Sequence, residues 1–305
     1  MKRKEYKNML KIKIFIILFL LAILSFVFYS KTLNYKLNKF LIKNKVNVGI
    51  AIIKDNHLTV VNNKRYPLLS IFKYFVAIKV LRYVDQQKIS LDTNVSINKN
   101  MLDFNTYSPM LKEYKNYPFN ITISKLLEYM ISQSDNNACD ILIDYIGGIK
   151  EIENFVYELG YGAINIKVNE KDMNTNIYNQ YLNTSFPKDI VLIMKKVKEN
   201  NILSNSSFAF LENIMLKTET GENKVKAGLP ENTKFFHKTG SGSRTSNGIK
   251  IADNDAGYVL LPNGDIYYIA IMIKDSPLSD EENAKIISDI SKIIYQHFSA
   301  HKNER

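Results

Sequence analysis

The sequence predicts a mixed α/β protein of the α+β type: an antiparallel five-stranded sheet flanked by terminal helices, with an all-helical lobe inserted between its second and third strands. Three observations carry this expectation. Two β-branched, apolar runs near residue 50 flank a turn pair, every readable periodicity over the next 140 or so residues is helical, and strand-like runs resume only after residue 230. One lobe then comprises 31–66 and 216–305, the other 67–215, and the cleft between them is the expected site.

Residues 37–43 suit a short helix. VNVGIAIIK at 46–54 and HLTVVN at 57–62 form a hairpin around Asp55-Asn56. Helical periodicity follows at 70–87, 123–132, 137–146, 150–159 and 188–198. The polar stretch 169–185 has no clear period, and an unstructured loop of that length inside a compact domain is usually functional. Strands at 234–238, 255–261 and 266–274, the last two joined through Pro262-Asn263-Gly264-Asp265, and a helix at 280–298 complete the chain.

The 305 residues are 46% hydrophobic, ample for a core, and the formal charge is +11. That charge is concentrated at one end: residues 1–45 hold eleven Lys/Arg against the single Glu5, leaving +1 for the remainder. A nearly neutral globular part argues against nucleic-acid binding. Six basic residues between Lys2 and Lys13 precede an apolar run from Ile14 to Tyr29, which reads as an export signal over 1–30 or, if uncleaved, as a membrane anchor with the catalytic part outside the cytoplasm. Cys139 is the only cysteine, so no internal disulfide supports the fold, and four scattered histidines leave no metal-ligand spacing. No metal and no cofactor are expected, and a monomer is.

Chemistry enters at Ser70. SIFKYFVAIKVLRYV is a helix-length apolar stretch that opens on a serine and carries Lys73 one turn later. Residues three apart share a helix face, so the two can share a hydrogen bond, and a lysine that has given up its proton can take one from a serine hydroxyl. Ser-x-x-Lys also starts at Ser96, Ser185 and Ser299, but only Ser70 heads a long apolar helix, whose N–H groups meet a ligand at a positive end. The competing reading is an N-cap serine followed by a lysine that reaches for solvent.

Two further triplets occur once each: Ser134-Asp135-Asn136, in the helical insertion, and Lys238-Thr239-Gly240, at the end of a strand. Ser-x-x-Lys, Ser-Asp-Asn and Lys-Thr-Gly in that order are the signature of class A β-lactamases and penicillin-binding proteins. With Tyr107-Ser108-Pro109, SQSDNNACDILIDYIGGIK, TETGENK, HKTG and ADNDAG, everything after residue 45 resembles class A serine β-lactamases, most of all their extended-spectrum, cephalosporinase-like branch.

The resemblance implies the serine β-lactamase and penicillin-binding transpeptidase type of fold, β-lactam antibiotics as substrates, and a set of roles. Ser70 attacks the lactam carbonyl, its own N–H and that of Ser241 form the oxyanion hole, and Ser134 passes a proton to the leaving nitrogen with help from Lys73 and Lys238. Tyr107 stands at the cleft mouth. Asn136 bonds Lys73 and the substrate's acylamido group, while Lys238, Thr239 and Gly240 belong to the strand that holds its carboxylate. Glu170 and Asn174 have the family's spacing for clamping the deacylating water, with Glu170 the general base; whether acylation uses Glu170 through that water or Lys73 stays open.

The chain departs from the family in two places. Val168-Asn169 and Lys171 flank Glu170 where an arginine and a proline are frequent, which puts the loop's hold and any cis bond there in question. Asn247 stands where a basic group often supports the substrate carboxylate, leaving Lys224, slightly preferred, or Arg244 to substitute. Two rival functions remain: a penicillin-sensitive D,D-peptidase or transpeptidase, which needs no water-clamping glutamate, and a membrane-anchored β-lactam receptor, for which 13 residues before the apolar run leave little cytoplasmic output.

Overall fold

The computed structural model describes residues 32–199 and 201–300. The expected export signal lies outside the described residues. Helix α1 (Leu33–Asn44) begins at Thr32, whose hydroxyl accepts from Tyr35 N, and ends at Lys45 in the left-handed conformation; it belongs to a unit separate from residues 46–300.

That larger unit contains the predicted sheet. Strands β1 (Val48–Lys54), β2 (His57–Val61), β7 (Lys234–Ser241), β8 (Lys250–Leu260) and β9 (Ile266–Ser276) are all antiparallel to their neighbours, in the order β2-β1-β9-β8-β7. Between β2 and β7 come β3 (Tyr66–Pro67), α2 (Phe72–Gln87), β4 (Asn94–Ile97), α3 (Met110–Glu113), β5 (Phe119–Thr122), α4 (Ile123–Ser132), α5 (Asn136–Tyr145), α6 (Ile149–Glu158), α7 (Glu170–Thr175), β6 (Thr184–Ser185), α8 (Pro187–Glu199) and α9 (Asn205–Leu216); α10 (Asp280–Ala300) follows β9. β3 pairs with β6 and β4 with β5, two short ribbons that the sequence reading did not include.

Period-two alternation divides the core. Ala256, Tyr258, Ala270 and Met272 join one cluster with the α2 side chains Phe72, Phe75, Val76 and Val80. Val259, Ile269, Ile271 and Ile273 point to the opposite face, against which α10 brings Ile287, Ile290 and Ile294. With both faces covered, β1 and β9 read as nearly continuous apolar runs rather than alternating ones.

Two differences from the sequence reading have clear causes. The strand expected from 255 begins at Lys250, because Asp253, Asn254 and Asp255 interrupt the apolar run, yet all three are buried and paired. Helix α9 falls in a stretch for which the sequence reading predicts no element. Ser204 caps it, its hydroxyl accepting from Ser207 N, and Asp85 holds Ser204 and Ser207 through their hydroxyls.

Candidate active site

Ser70 sits in a single 3₁₀ turn (Leu69–Ile71) ahead of α2 rather than in the helix proper. Its hydroxyl does not cap α2: the N-cap is Ile71, without a side-chain bond, so the bland reading of Ser70 as a capping serine does not describe this turn. The turn is strained, with Leu69 at φ +45, a conformation that costs a non-glycine residue about 1–3 kcal/mol and persists only where its surroundings enforce it. Leu68 N donates to Asn183 O at 2.8 Å, and Asn254 Nδ2 donates to Pro67 O and Leu68 O at 2.8 and 3.1 Å. Gly240 completes the clamp: a Cβ there would lie 2.5 Å from Leu68 O, so only glycine allows β7 to approach this closely.

Ser134 also has positive φ, +62, in the connection between α4 and α5. Asp135 explains why the connection holds. As N-cap of α5 it accepts from Ala138 N, and it also accepts from Met110 N and the Ser108 hydroxyl, so one buried carboxylate ties α5 to the segment carrying Tyr107. Asn136 N in turn donates to Tyr107 O at 3.0 Å.

Lys73 is fully buried on α2 and is held by this connection. Its Nζ donates to Ser134 O and Asn136 Oδ1, each at 2.6 Å, and lies 2.9 Å from Glu170 Oε1. The expected hydrogen bond to Ser70 is not among those of the described residues; a carboxylate and two well-aligned carbonyl oxygens take the ammonium instead. Glu170 Oε1 has this ion pair but no donor aligned for a hydrogen bond within the protein. Lys238 Nζ donates to Ser134 Oγ at 2.9 Å and to Thr239 O at 3.0 Å. Burial above all, and next the Lys73 ammonium, push the Lys238 pKa well below its ordinary value. Ser134 Oγ therefore stands between two lysines, 3.5 Å from Lys73 and 2.9 Å from Lys238.

The stretch 169–185 is more ordered than its composition suggests: it holds α7, a 3₁₀ segment (Ile177–Tyr181) and β6. Asn169 caps α7 by accepting from Asp172 N, and the Asp140 carboxylate accepts from Glu170 N and Lys171 N, each at 2.8 Å. These contacts supply the hold that the missing arginine and proline left in question. The Glu170–Lys171 bond is trans, the one cis bond among the described residues being Tyr117–Pro118. Burial raises the Asp140 carboxyl to about 7, outweighing the two N–H bonds that lower it.

Glu170 and Asn174 share a face of α7. Asn174 Nδ2 donates to Thr106 Oγ1 at 2.9 Å, and Asn136 Nδ2 donates to the same oxygen at 2.8 Å. One hydroxyl thus fixes the NH₂ end of both amides and leaves the Asn136 carbonyl for Lys73. Farther along the loop, Gln180 and Ser243 bond reciprocally, Nε2 to Oγ and Ser243 N to Oε1, closing one side of the site.

A cavity of about 280 Å³ lies among these groups and is lined by Ser70, Tyr107, Ser134, Asn136, Glu170, Asn174, Thr239 and Ser241, with Leu69, Met173, Gln180, Thr220 and Ser243. Lys73, Lys238 and Gly240 stand behind its wall. Lys224 is buried beside it, with Nζ 2.5 Å from Asp253 Oδ1, 2.9 Å from Ser241 Oγ and 3.3 Å from Asn254 O. Arg244 is not brought in: its guanidinium donates to Gly248 O, Leu278 O and Asp280, and Asn247 occupies an exposed turn. Asp140, Thr106, Gln180 and the Asp253–Asn254 pair were not assigned roles from the sequence. Four of these five stand in or beside segments that carry the resemblance, Tyr107-Ser108-Pro109, SDNNACD and ADNDAG, which was the available signal.

The chain matches the Beta-lactamase enzyme family over residues 32–298. It is 44% identical over 266 residues to a β-lactamase of Bacteroides uniformis, covering 86% of this chain and 90% of that one. It is 35% identical to β-lactamase VEB-1 of Pseudomonas aeruginosa, over 93% of this chain and 97% of the relative. The solved class A β-lactamase of Bacteroides cellulosilyticus superposes with a TM-score of 0.85 at 39% identity, covering 88% of this chain and 99% of the other. The TLA-3 extended-spectrum β-lactamase also gives 0.85, at 37% identity, with 87% and 98% covered. The chain therefore belongs to the β-lactamase enzyme family, as a serine β-lactamase of class A that hydrolyses β-lactams.

Proposed function

We propose that this enzyme opens the β-lactam amide of penicillins and cephalosporins through an acyl-enzyme on Ser70, that water activated by Glu170 releases the product, and that the activity confers β-lactam resistance. The observation that carries the reading is one cavity bordered at once by Ser70, Ser134, Glu170 and Thr239. Ser70 attacks the carbonyl, and the N–H groups of Ser70 and Ser241 stabilise the oxyanion. Ser134, between two lysines, hands a proton to the leaving nitrogen. Lys238 is placed to assist that transfer, its Nζ donating to the Ser134 hydroxyl at 2.9 Å. Asn136 receives the acylamido group, Tyr107 borders the mouth, and Glu170 with Asn174 holds the water. Export, to the periplasm or as a membrane-anchored form, rests on the basic and apolar N-terminal segment. The extended-spectrum label carried by TLA-3 and by PER-1 of Pseudomonas aeruginosa, which is 33% identical to this chain, supports an extended substrate spectrum here.

The test is incubation of the purified protein with a chromogenic cephalosporin. Steady turnover over many equivalents is expected; a burst of one equivalent followed by arrest would instead identify a penicillin-binding peptidase or a receptor.

The carboxylate anchor in this proposal is Lys224, whose Nζ donates to the Ser241 hydroxyl on the cavity wall, whereas the partners of Arg244, Gly248, Leu278 and Asp280, are not among the lining residues. Lys224→Ala should raise KM for cephalosporins roughly tenfold or more and lower kcat less, as loss of a charge-assisted bond made in both ground and transition states does. The same change strands Asp253 and costs about 3–5 kcal/mol of stability, so KM is measured well below the variant's Tm. Arg244→Ala should leave KM unchanged, and the converse pattern would move the role to Arg244.

A further inference from the structure

The interior strand β8, between β9 and β7, carries three consecutive polar residues, Asp253, Asn254 and Asp255, each buried to 2% exposure or less. Alternation sends Asp253 and Asp255 to one face, where they meet Lys224, Ser241 and His237. Asn254 points to the other face, towards the segment that precedes Ser70. We propose that Asn254 is a positioning residue for the nucleophile: it holds the Pro67–Leu69 turn in its left-handed conformation and so aims the hydroxyl and N–H of Ser70 at the lactam carbonyl. The proposal rests on the reading of Ser70 as nucleophile.

Three observations support it. Both Asn254 amide hydrogens are spent on consecutive carbonyls, Pro67 O and Leu68 O, immediately before the one residue of the turn with positive φ, Leu69. The carboxamide oxygen, by contrast, is buried with no hydrogen-bond partner. The amide's protein bonds are thus all made by its donor end, and an apolar side chain at 254 would take that donor from both carbonyls. Finally, Asn254 stands opposite Gly240 in the sheet register, and Gly240 is the residue whose Cβ would strike Leu68 O and crowd Ile71 N. Two neighbouring strands therefore pin the same turn, one by donating to its carbonyls and the other by lacking a side chain. The same residue's carbonyl accepts from Lys224, which links the nucleophile turn to the proposed carboxylate anchor.

The experiment compares the full-length parent with Asn254→Leu, near in size but without donors, and Asn254→Ser, which keeps one donor and introduces no bulk. Stopped-flow mixing with a chromogenic cephalosporin gives the dissociation constant of the pre-covalent complex and the acylation rate constant; a boronic acid that bonds to the serine hydroxyl reports the tetrahedral geometry, and Tm is recorded for each protein. Acylation should fall roughly ten- to hundredfold in Asn254→Leu and less in Asn254→Ser, boronate affinity should fall in parallel, and the pre-covalent constant should stay within about twofold. Variants that lose Tm yet acylate and bind the boronate like the parent overturn the proposal, as does an equal loss in pre-covalent binding, which indicates general distortion of the cavity. Failure of both variants to fold also overturns it, since the residue is then a structural one. The parent separates this inference from the one beneath it: if the parent itself is not acylated at Ser70, the nucleophile assignment fails, whereas an acylated parent with parent-like variants defeats only the role of Asn254.

Discussion

Ser70→Ala is expected to abolish both covalent labelling by a penicillin and turnover of a chromogenic cephalosporin, with kcat falling by on the order of 10⁶-fold, the scale seen when a serine nucleophile is deleted from a hydrolase. The fold should survive. Ser70 makes no capping bond that the helix requires, and the turn around it is pinned through the backbone of Pro67 and Leu68 rather than through the serine side chain. Intact-protein mass after incubation with penicillin is the measurement: the parent gains one ring-opened lactam transiently, the variant gains nothing. A label that reappeared on Ser134 would reverse the assignment, because Ser134 borders the same cavity and its hydroxyl lies beside two lysines. Ser96, on β4 and outside that cavity, offers no comparable chemistry.

The candidate groups legible in the sequence are those whose identity the proposed chemistry dictates. Ser70 with Lys73, Ser134 with Asn136, and Lys238 with Thr239 appear as short patterns because each pair acts locally, and the fold then brings three distant segments to one cavity. The sheet was equally legible, since β1, β2 and β9 are apolar runs bounded by turn residues. What stayed hidden has a common physical cause. Asn254 finds its partners 187 and 186 residues away, and Asp140 holds backbone groups 30 and 31 residues away, so neither leaves a local pattern. Thr106 joins Asn136 and Asn174 through a single oxygen, which no spacing rule anticipates. The early start of β8 was missed for the same reason: a charged strand residue reads as exposed until the partner that permits its burial is known.

The loop around Glu170 shows how one fold property bears on the second large effect. Glu170 is 5% exposed, its N–H is held by Asp140, and its carboxylate lies against the Lys73 ammonium with an oxygen that receives no aligned donor. A carboxylate so placed, with Asn174 one turn along α7 and fixed through Thr106, is suited to accept a proton from a water near the acyl carbonyl. Glu170→Gln preserves shape and removes the base. Deacylation is then expected to slow about 10²- to 10⁴-fold, the usual worth of a positioned general base, while Ser70 is still acylated. The protein mass should rise by one ring-opened lactam and remain raised for many parental turnover times. The loss of charge beside Lys73 also perturbs acylation, so the decisive quantity is the ratio of the two steps: accumulation of the acyl-enzyme requires that deacylation suffer more. A Glu170→Gln protein that turned over as fast as the parent would remove Glu170 from the mechanism, and one that never acylated would shift its principal role to the first step, as the base that activates Ser70.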